Sequence, residues 1–308
     1  MNPQGTSSQG NNSTDIFDTE LDTPESLGPW GDELGEKKER SLRVYFQNVN
    51  GIPCHDNWAE WNHIITYLKS KQVDIAGLAE TNIKWTKQST SAAKRQLTSH
   101  INPATLIAAS CDEPCPFKYQ RGGVLLATLG KLTGRIETTG QDPLGLGRWA
   151  YTKYIGRNGK ALIIISAYRV AQSNLTPGDN TSYNQQYRAL RRQGVENPKP
   201  KKLFCSHLLS QIQAWTAQNT DILLMLDAND DLTDPDFGKF MDQCKLYDLL
   251  GTHHSINSPP TYIRGSRTID YLLATENVIK ATQQCDMNSY NDTISSDHRS
   301  LWADIDIP

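Results

Sequence analysis

The strongest constraint on this chain is where its polar residues fall. From residue 42 onward, short apolar runs of strand length recur, and one after another ends in a carboxylate, amide, histidine or tyrosine. The instances are Val44 to Asn48, Gly77 to Glu80, Ser166 to Tyr168, Leu226-Asp227-Ala-Asn229, Thr268-Ile-Asp270 and Ser295-Ser-Asp297-His298. Polar groups at the mouths of buried strands keep the core dry and gather ionisable groups at one rim of a sheet. Such gathering shifts pKa values and creates sites for hard cations, which is how hydrolytic centres are built. Taken singly, an Asp after an apolar run is a turn former or helix cap. The succession is what points to chemistry.

The rest of the composition bounds the answer. With 308 residues, 37% hydrophobic and 21% charged, the chain reads as an ordinary globular protein with ample length for a large core. Its longest apolar stretches, such as Ala161–Ile165 and Ile222–Leu226, are strand-sized and far short of the ~18 residues of a membrane span. The Gln/Asn/Ser/Gly-rich start lacks the charged and apolar regions of a secretory signal. The expectation is an intracellular protein, nuclear or cytoplasmic, with no membrane contact and no obligate protein partner. Six cysteines spread over the chain fit a reducing compartment, and the Cys111/Cys115 pair has no second pair at zinc-ligand spacing. His253 and His254 follow a glycine and read as ordinary loop residues.

Charge divides the chain. Residues 1–40 hold nine acidic and three basic side chains, so the remainder carries a net +3 within an overall −3. Few branched apolar residues and no period mark 1–40 as a disordered acidic tail. The body, 41–308, reads as a single domain. Strand candidates are Leu42–Gln47, Val73–Ala79, Ala104–Ala109, Gly123–Leu129, Gly134–Thr138, Arg148–Ile155, Ala161–Ala167, Ile222–Leu226, Thr268–Ala274, Cys285–Tyr290 and Arg299–Ile305. Helical spacing occupies Asn57–Lys71 and, with a break at Asn197–Pro200, residues 181–218. Irregularly interspersed helices indicate an α/β body with a mixed sheet rather than a doubly wound one.

In their order and spacing, these segments resemble the endonuclease/exonuclease/phosphatase superfamily, which includes AP endonucleases and retrotransposon endonuclease domains. The resemblance runs from about Leu42 to Ile307. It implies a four-layered α/β sandwich, two packed mixed β-sheets flanked by helices (the DNase-type fold), and a Mg²⁺-dependent phosphodiesterase, with Mn²⁺ as the alternative ion. Carried over residue by residue, it makes Glu80 the principal metal ligand, with Asn48 and Asp297 beside it. Asp227 activates the attacking water and Asn229 donates to a phosphate oxygen. His298, oriented by Asp270, meets the scissile phosphate, and Tyr168 assists the leaving oxygen. These groups meet the needs of phosphoryl transfer, in-line positioning and charge neutralisation.

Departures narrow the reading. Asn50 stands where AP endonucleases often carry Asp, and no proline follows Tyr168-Arg-Val. The inositol-phosphatase signature is absent before the closing strand. The basic stretch Tyr187–Lys202, with Arg188, Arg191 and Arg192, and the loop Thr261–Arg267, with Arg264 and Arg267, are candidates to track a nucleic-acid backbone. The first expectation is therefore a DNA endonuclease of the AP-endonuclease or retroelement type. The alternatives are a phosphatase or phosphodiesterase acting on a small-molecule or lipid phosphate ester, and a non-catalytic binding module that kept the fold.

Overall fold

A computed structural model describes residues 29–54, 58–115, 119–156, 159–172, 180–290 and 294–306. Residues 1–28 of the expected acidic tail lie outside the described residues. Among the described residues thirteen strands form two sheets. The first contains β1 (Trp30–Gly31), β2 (Ser41–Asn48), β3 (Ile75–Ala79), β4 (Ala104–Ala109), β5 (Val124–Leu129), β12 (Thr282–Met287) and β13 (Leu301–Asp306), in the order β1-β12-β13-β2-β3-β5-β4. The second contains β6 (Ile136–Gln141), β7 (Trp149–Ile155), β8 (Ala161–Tyr168), β9 (Thr220–Asp227), β10 (Tyr247–Asp248) and β11 (Asp270–Ala274), in the order β10-β11-β9-β8-β7-β6.

Each sheet is antiparallel except at its centre, where β2 runs parallel to β3 and β8 parallel to β9. A parallel pair needs a long crossover, and helices supply it here. Ala59–Ser70 lies between β2 and β3, and Ser182–Arg192 with Pro200–Thr216 between β8 and β9. Both parallel pairs therefore deliver the ends of their strands, Asn48 with Ala79 and Tyr168 with Asp227, in matched register.

Three apolar layers follow from the alternation of side chains along the strands. Val44, Phe46, Ile75 and Leu126 face Ile164, Leu223, Met225 and Leu272 between the sheets. Tyr45, Ala76, Leu78 and Leu125 point outward onto Trp61, Ile64, Ile65 and Leu68 of the first crossover helix. Ile163, Ile165, Leu224 and Leu226 cover the other outer face against Phe204, Leu208 and Ile212. Strands buried on both faces read as unbroken apolar runs, which is why the sequence announced them. Gly77 faces the second sheet, where Met225 and Ser166 occupy the space a side chain there would need. The expected four layers, helix, sheet, sheet and helix, are present. No helix among the described residues is long and apolar enough to cross a membrane.

Besides the short strand Tyr247–Asp248 and the helices Pro235–Cys244, Leu249–His254 and Glu276–Ala281, which no period announced, two differences from the sequence reading stand out. Lys87–His100 is a helix where no element was expected; it opens on a Thr86–Ser89 capping box but buries only Ala93 and Leu97, so its apolar period is faint. Residues 29–40, assigned by composition to the tail, touch the body. Trp30 and Gly31 pair with Met287 and Asp286, Lys37 bonds Asp74, and the Gly35 carbonyl accepts from Arg43. Apart from Trp30, which packs against the core, a segment this polar is held by hydrogen bonds and ion pairs, and hydropathy does not register those.

Arg43 anchors this corner. Its guanidinium grips Asp304 with two 2.7 Å hydrogen bonds and also donates to the Lys71 carbonyl, with the Arg and Asp side chains 2% and 0% exposed. Removing one partner of such a pair leaves an uncompensated buried charge. Asp304→Ala is expected to lower unfolding free energy by about 3–5 kcal/mol, measured by urea denaturation.

Candidate functional site

Strand register brings the sequence-predicted residues to one rim. Asn48 ends β2 opposite Ala79, and Glu80 is the next residue on β3's side. Tyr168 and Asp227 end β8 and β9 opposite one another, and Asp270 opens β11 directly across from Asp227. His298 lies three residues before β13, the antiparallel neighbour of β2. Tyr262 bridges to His298 and the Ile263 N–H donates to the Asp297 carbonyl at 2.9 Å, so the loop carrying Arg264 runs alongside Asp297-His298.

Asp227 is fully buried and doubly bonded: Asn48 Nδ2 donates to Oδ2 at 2.7 Å and the Asn229 backbone N–H to Oδ1 at 2.9 Å. Burial raises its pKa well above the usual carboxylate range, and the Asp270 carboxylate and Glu80 add to the rise against the pull of His298 and Asn48. His298 Nδ1 stands 2.8 Å from Asp270 Oδ2. Burial alone works to lower the imidazole's pKa. The hydrogen-bonded Asp270 carboxylate, with Asp227 and Asp297, overcomes it and raises the value to about 10. Tyr168 is held as a phenol by burial and by the nearby Glu80 and Asp227 carboxylates, which raise its pKa. At neutral pH the rim thus presents an imidazolium, a phenol and a carboxyl group with strong proton affinity.

The oxygens present fit a hard divalent cation. Glu80 is partly exposed at the mouth of a cleft, and Asp270 Oδ1 and Asp297 Oδ1 are buried with no hydrogen-bond partner among the described residues. Ligand atoms of Asp227, Asp270 and His298 also lie within 4.8 Å of one another. Backbone strain gathers at the same place: Asn50, Glu80, Asn82 and Asn229 all have left-handed φ of 46° to 54°. For the Glu such a conformation costs on the order of 1 kcal/mol or more and turns its side chain out of the strand's alternation.

The supporting roles of several residues escape the sequence reading, which places Lys201 and Thr261 only in the basic segments. Arg169 is buried beneath the Asp227–Asp230 segment, donating to the Ala228 carbonyl at 3.3 Å and pairing with Asp230 and Asp234. Lys201 reaches the same segment, donating to the Asn229 carbonyl at 3.0 Å. Thr261 accepts from the backbone N–H groups of Ile269 and Asp270. Gly122 and Gly123, both at φ near +80°, bring their carbonyls to the N–H groups of Asn82 and Thr81 and so hold the turn that presents Glu80. A side chain at Gly122 would meet Ser182 Oγ at 2.8 Å. The paired glycine ahead of an apolar run was the one legible signal of this turn.

A cleft of about 740 Å³ opens beside Glu80 and Tyr168, lined further by Tyr119, Arg121, Asn180 and Tyr183. Arg121 drew no notice in the sequence. The basic stretch that did is distributed otherwise: the N-terminal end of helix Ser182–Arg192 borders the cleft, whereas Arg188 and Arg192 sit toward its far end against Glu113. Arg191 is exposed at that same end. Arg264 and Arg267 are exposed on the loop beside His298, with Arg267 3.1 Å from Asp231. Asn229 Nδ2 donates to the Arg169 carbonyl at 2.9 Å, leaving its second amide hydrogen for another acceptor.

No family model matches this chain, and no curated protein matches it by sequence. Solved structures do match. AP endonuclease LMAP from Leishmania major aligns over 94% of this chain and 100% of its own, with a TM-score of 0.60 at 12% identity. An AP endonuclease from Archaeoglobus fulgidus aligns over 86% of this chain and 100% of its own, with a TM-score of 0.54 at 17% identity. The 3′ phosphatase NExo from Neisseria, in a structure with a product DNA hairpin, covers 86% and 99%, with a TM-score of 0.57 at 13% identity. This chain has the fold of the AP endonucleases and the endonuclease/exonuclease/phosphatase proteins.

The His298–Asp270 pair makes a pH prediction. The imidazole's folded pKa is raised to about 10, above an unfolded value near 6.5, so the native state binds this proton more tightly. Its stabilising contribution is full below about pH 6.5 and is lost as pH rises toward 10. The stability deficit of His298→Gln, measured by urea denaturation in EDTA, is expected to be largest near pH 6 and to shrink by pH 10.

Proposed function

We propose that the protein is a divalent-metal-dependent phosphodiesterase that cleaves DNA endonucleolytically, of the AP-endonuclease or retroelement type. The observation that carries the reading is the buried Asp270–His298 pair, 2.8 Å apart, opposite the buried Asp227 at the rim where both parallel strand pairs end. Glu80, with Asn48 and Asp297, would hold Mg²⁺ (Mn²⁺ as alternative), and the ion would neutralise charge on the phosphate's non-bridging oxygens.

The chain's own residues account for the remainder. Asp227, kept in place by Asn48 and the Asn229 N–H, accepts a proton from the attacking water; its raised pKa makes it a stronger base than an ordinary carboxylate. Water oxygen bonds to phosphorus as the bond to the leaving oxygen breaks in line. His298, already cationic, donates to a phosphate oxygen and stabilises charge, while Asp270 fixes its tautomer and orientation. Tyr168, protonated, donates toward the leaving oxygen, and Asn229 offers its remaining amide hydrogen to the phosphate. Arg121 in the cleft and Arg264 and Arg267 beside His298 are the cations best placed for flanking phosphates, with Arg188, Arg191 and Arg192 more distant. The DNA assignment draws further support from the similar structures, AP endonucleases and a DNA-bound 3′ phosphatase.

Nicking of supercoiled plasmid tests this directly. With Mg²⁺ the protein is expected to convert supercoiled to open-circle DNA, EDTA to stop it, and Glu80→Ala or His298→Ala to lower the rate by about 10²–10⁴-fold. Nicking unchanged in both variants overturns the assignment. Hydrolysis of small phosphate esters without any nicking replaces DNA by a small-molecule substrate. For binding, Arg121→Ala is expected to reduce the salt dependence of DNA affinity by roughly one phosphate contact, and Arg191→Ala to leave it unchanged. Fluorescence anisotropy across a salt series reads both.

A further inference from the structure

A second group of ligating side chains lies away from the rim. Asp32, His253, His254 and Cys285 each offer one ligand atom within 4.8 Å of the others. They come from three separate places: the turn after β1, the end of helix Leu249–His254, and β12. Cys285 pairs across β13 at the level of Val44, four residues before Asn48. Along the strands that is about 13 Å from the rim. We propose that these four residues form a structural zinc site that clips the N-terminal strand to the body.

Two of the donor separations match those around a tetrahedral ion, and all four donors lie within 4.8 Å of one another. Zinc bonds of about 2.0–2.3 Å place neighbouring donors roughly 3.3–3.8 Å apart. Cys285 Sγ and His254 Nε2 are 3.6 Å apart, and His253 Nε2 and Asp32 Oδ2 are 3.5 Å apart. One thiolate, two imidazoles and one carboxylate make a borderline-soft set that favours zinc over Mg²⁺ or Ca²⁺. A thiolate and a carboxylate together neutralise the dication. Cys285 is fully buried while Asp32 and His253 remain about a third exposed, so the ion has an entry path.

The surroundings position the ligands. Asp32 Oδ2 accepts from the Cys285 N–H at 2.9 Å, and the Asp32 N–H donates to the Cys285 carbonyl at 3.2 Å. Trp30 packs edge-on against His254, ring centroids 4.9 Å apart. Gly31, at φ +107°, passes so close that a Cβ there would lie 2.8 Å from His254 Nε2. His254 Nε2 also faces the Cys285 carbonyl at 2.9 Å. On binding, the His254 ring proton moves from Nε2 to Nδ1, the Nε2–H bond to the Cys285 carbonyl is given up, the freed Nε2 lone pair faces the metal, and the thiol proton leaves to solvent. Nothing is oxidised or reduced. Asp32 and Cys285 are 253 residues apart in sequence, so the clip closes nearly the whole domain.

Cobalt(II) as the probe separates this site from the rim, because only a thiolate ligand produces a sulfur-to-cobalt charge-transfer band. Added to the full chain, Co²⁺ is expected to give that band together with tetrahedral d–d absorption. Zn²⁺ should displace both. Glu80→Ala is expected to retain the band and Cys285→Ser to lose it. Should the buried Cys285→Ser fail to fold, His253→Ala, partly exposed, carries the test, with Co²⁺ affinity expected to fall at least about tenfold. No charge-transfer band in the unaltered chain, a band of equal strength in folded Cys285→Ser, or unchanged affinity in His253→Ala overturns the proposal.

Discussion

A hydrogen bond joins the ends of the two sheets' central strands: Asn48 Nδ2, at the end of β2, donates to Asp227 Oδ2, at the end of β9. Both side chains are buried, so an alternative partner from solvent is not at hand, and an unmet carboxylate here would bear its full desolvation cost. The bond sets how the two parallel pairs meet at their ends. Arg169 and Lys201 hold the Asp227–Asp230 segment from below, and Asn229 returns a bond to the Arg169 carbonyl. A few polar contacts thus position a rim that the apolar layers only bring into proximity.

Electrostatics at this rim separates the roles of groups that look alike in sequence. Asp227 and Asp270 face each other across one register position, and two buried carboxylates so placed do not share their charge equally. Asp270 has His298 as its partner and the imidazole is held cationic; Asp227 has only neutral amide donors, and burial raises its affinity for a proton. One pair member becomes the counter-ion of a cation and the other a proton acceptor. That division rests on which neighbour each carboxylate meets, not on residue type.

Much of this was legible in the chain itself. Fully buried strands announced themselves as unbroken apolar runs, and their ends marked Asn48, Glu80, Tyr168, Asp227 and Asp270. Edges and amphipathic pieces with few apolar contacts did not: the helix Lys87–His100 buries two residues, and Trp30–Gly31 is held mainly by backbone pairing to an edge strand. Arg188 and Arg192 stood out as basic residues, yet their charge is spent on Glu113, whereas Arg121, isolated in sequence, reaches the cleft. His253 and His254, read as loop residues, stand in a helix beside Asp32 and Cys285.

What the sequence determined by itself is the set of strands and the residue type at each strand's mouth, because burial imposes periodicity and a polar stop locally, within a few residues. Only the tertiary structure decided which mouths meet. The meeting of Asn48 with Asp227 spans 179 residues and that of Arg43 with Asp304 spans 261, and no local pattern encodes such pairings. They arise when two sheets pack face to face and the register of each strand aligns its end with its neighbour's. Distance, burial and protonation state then follow from that alignment.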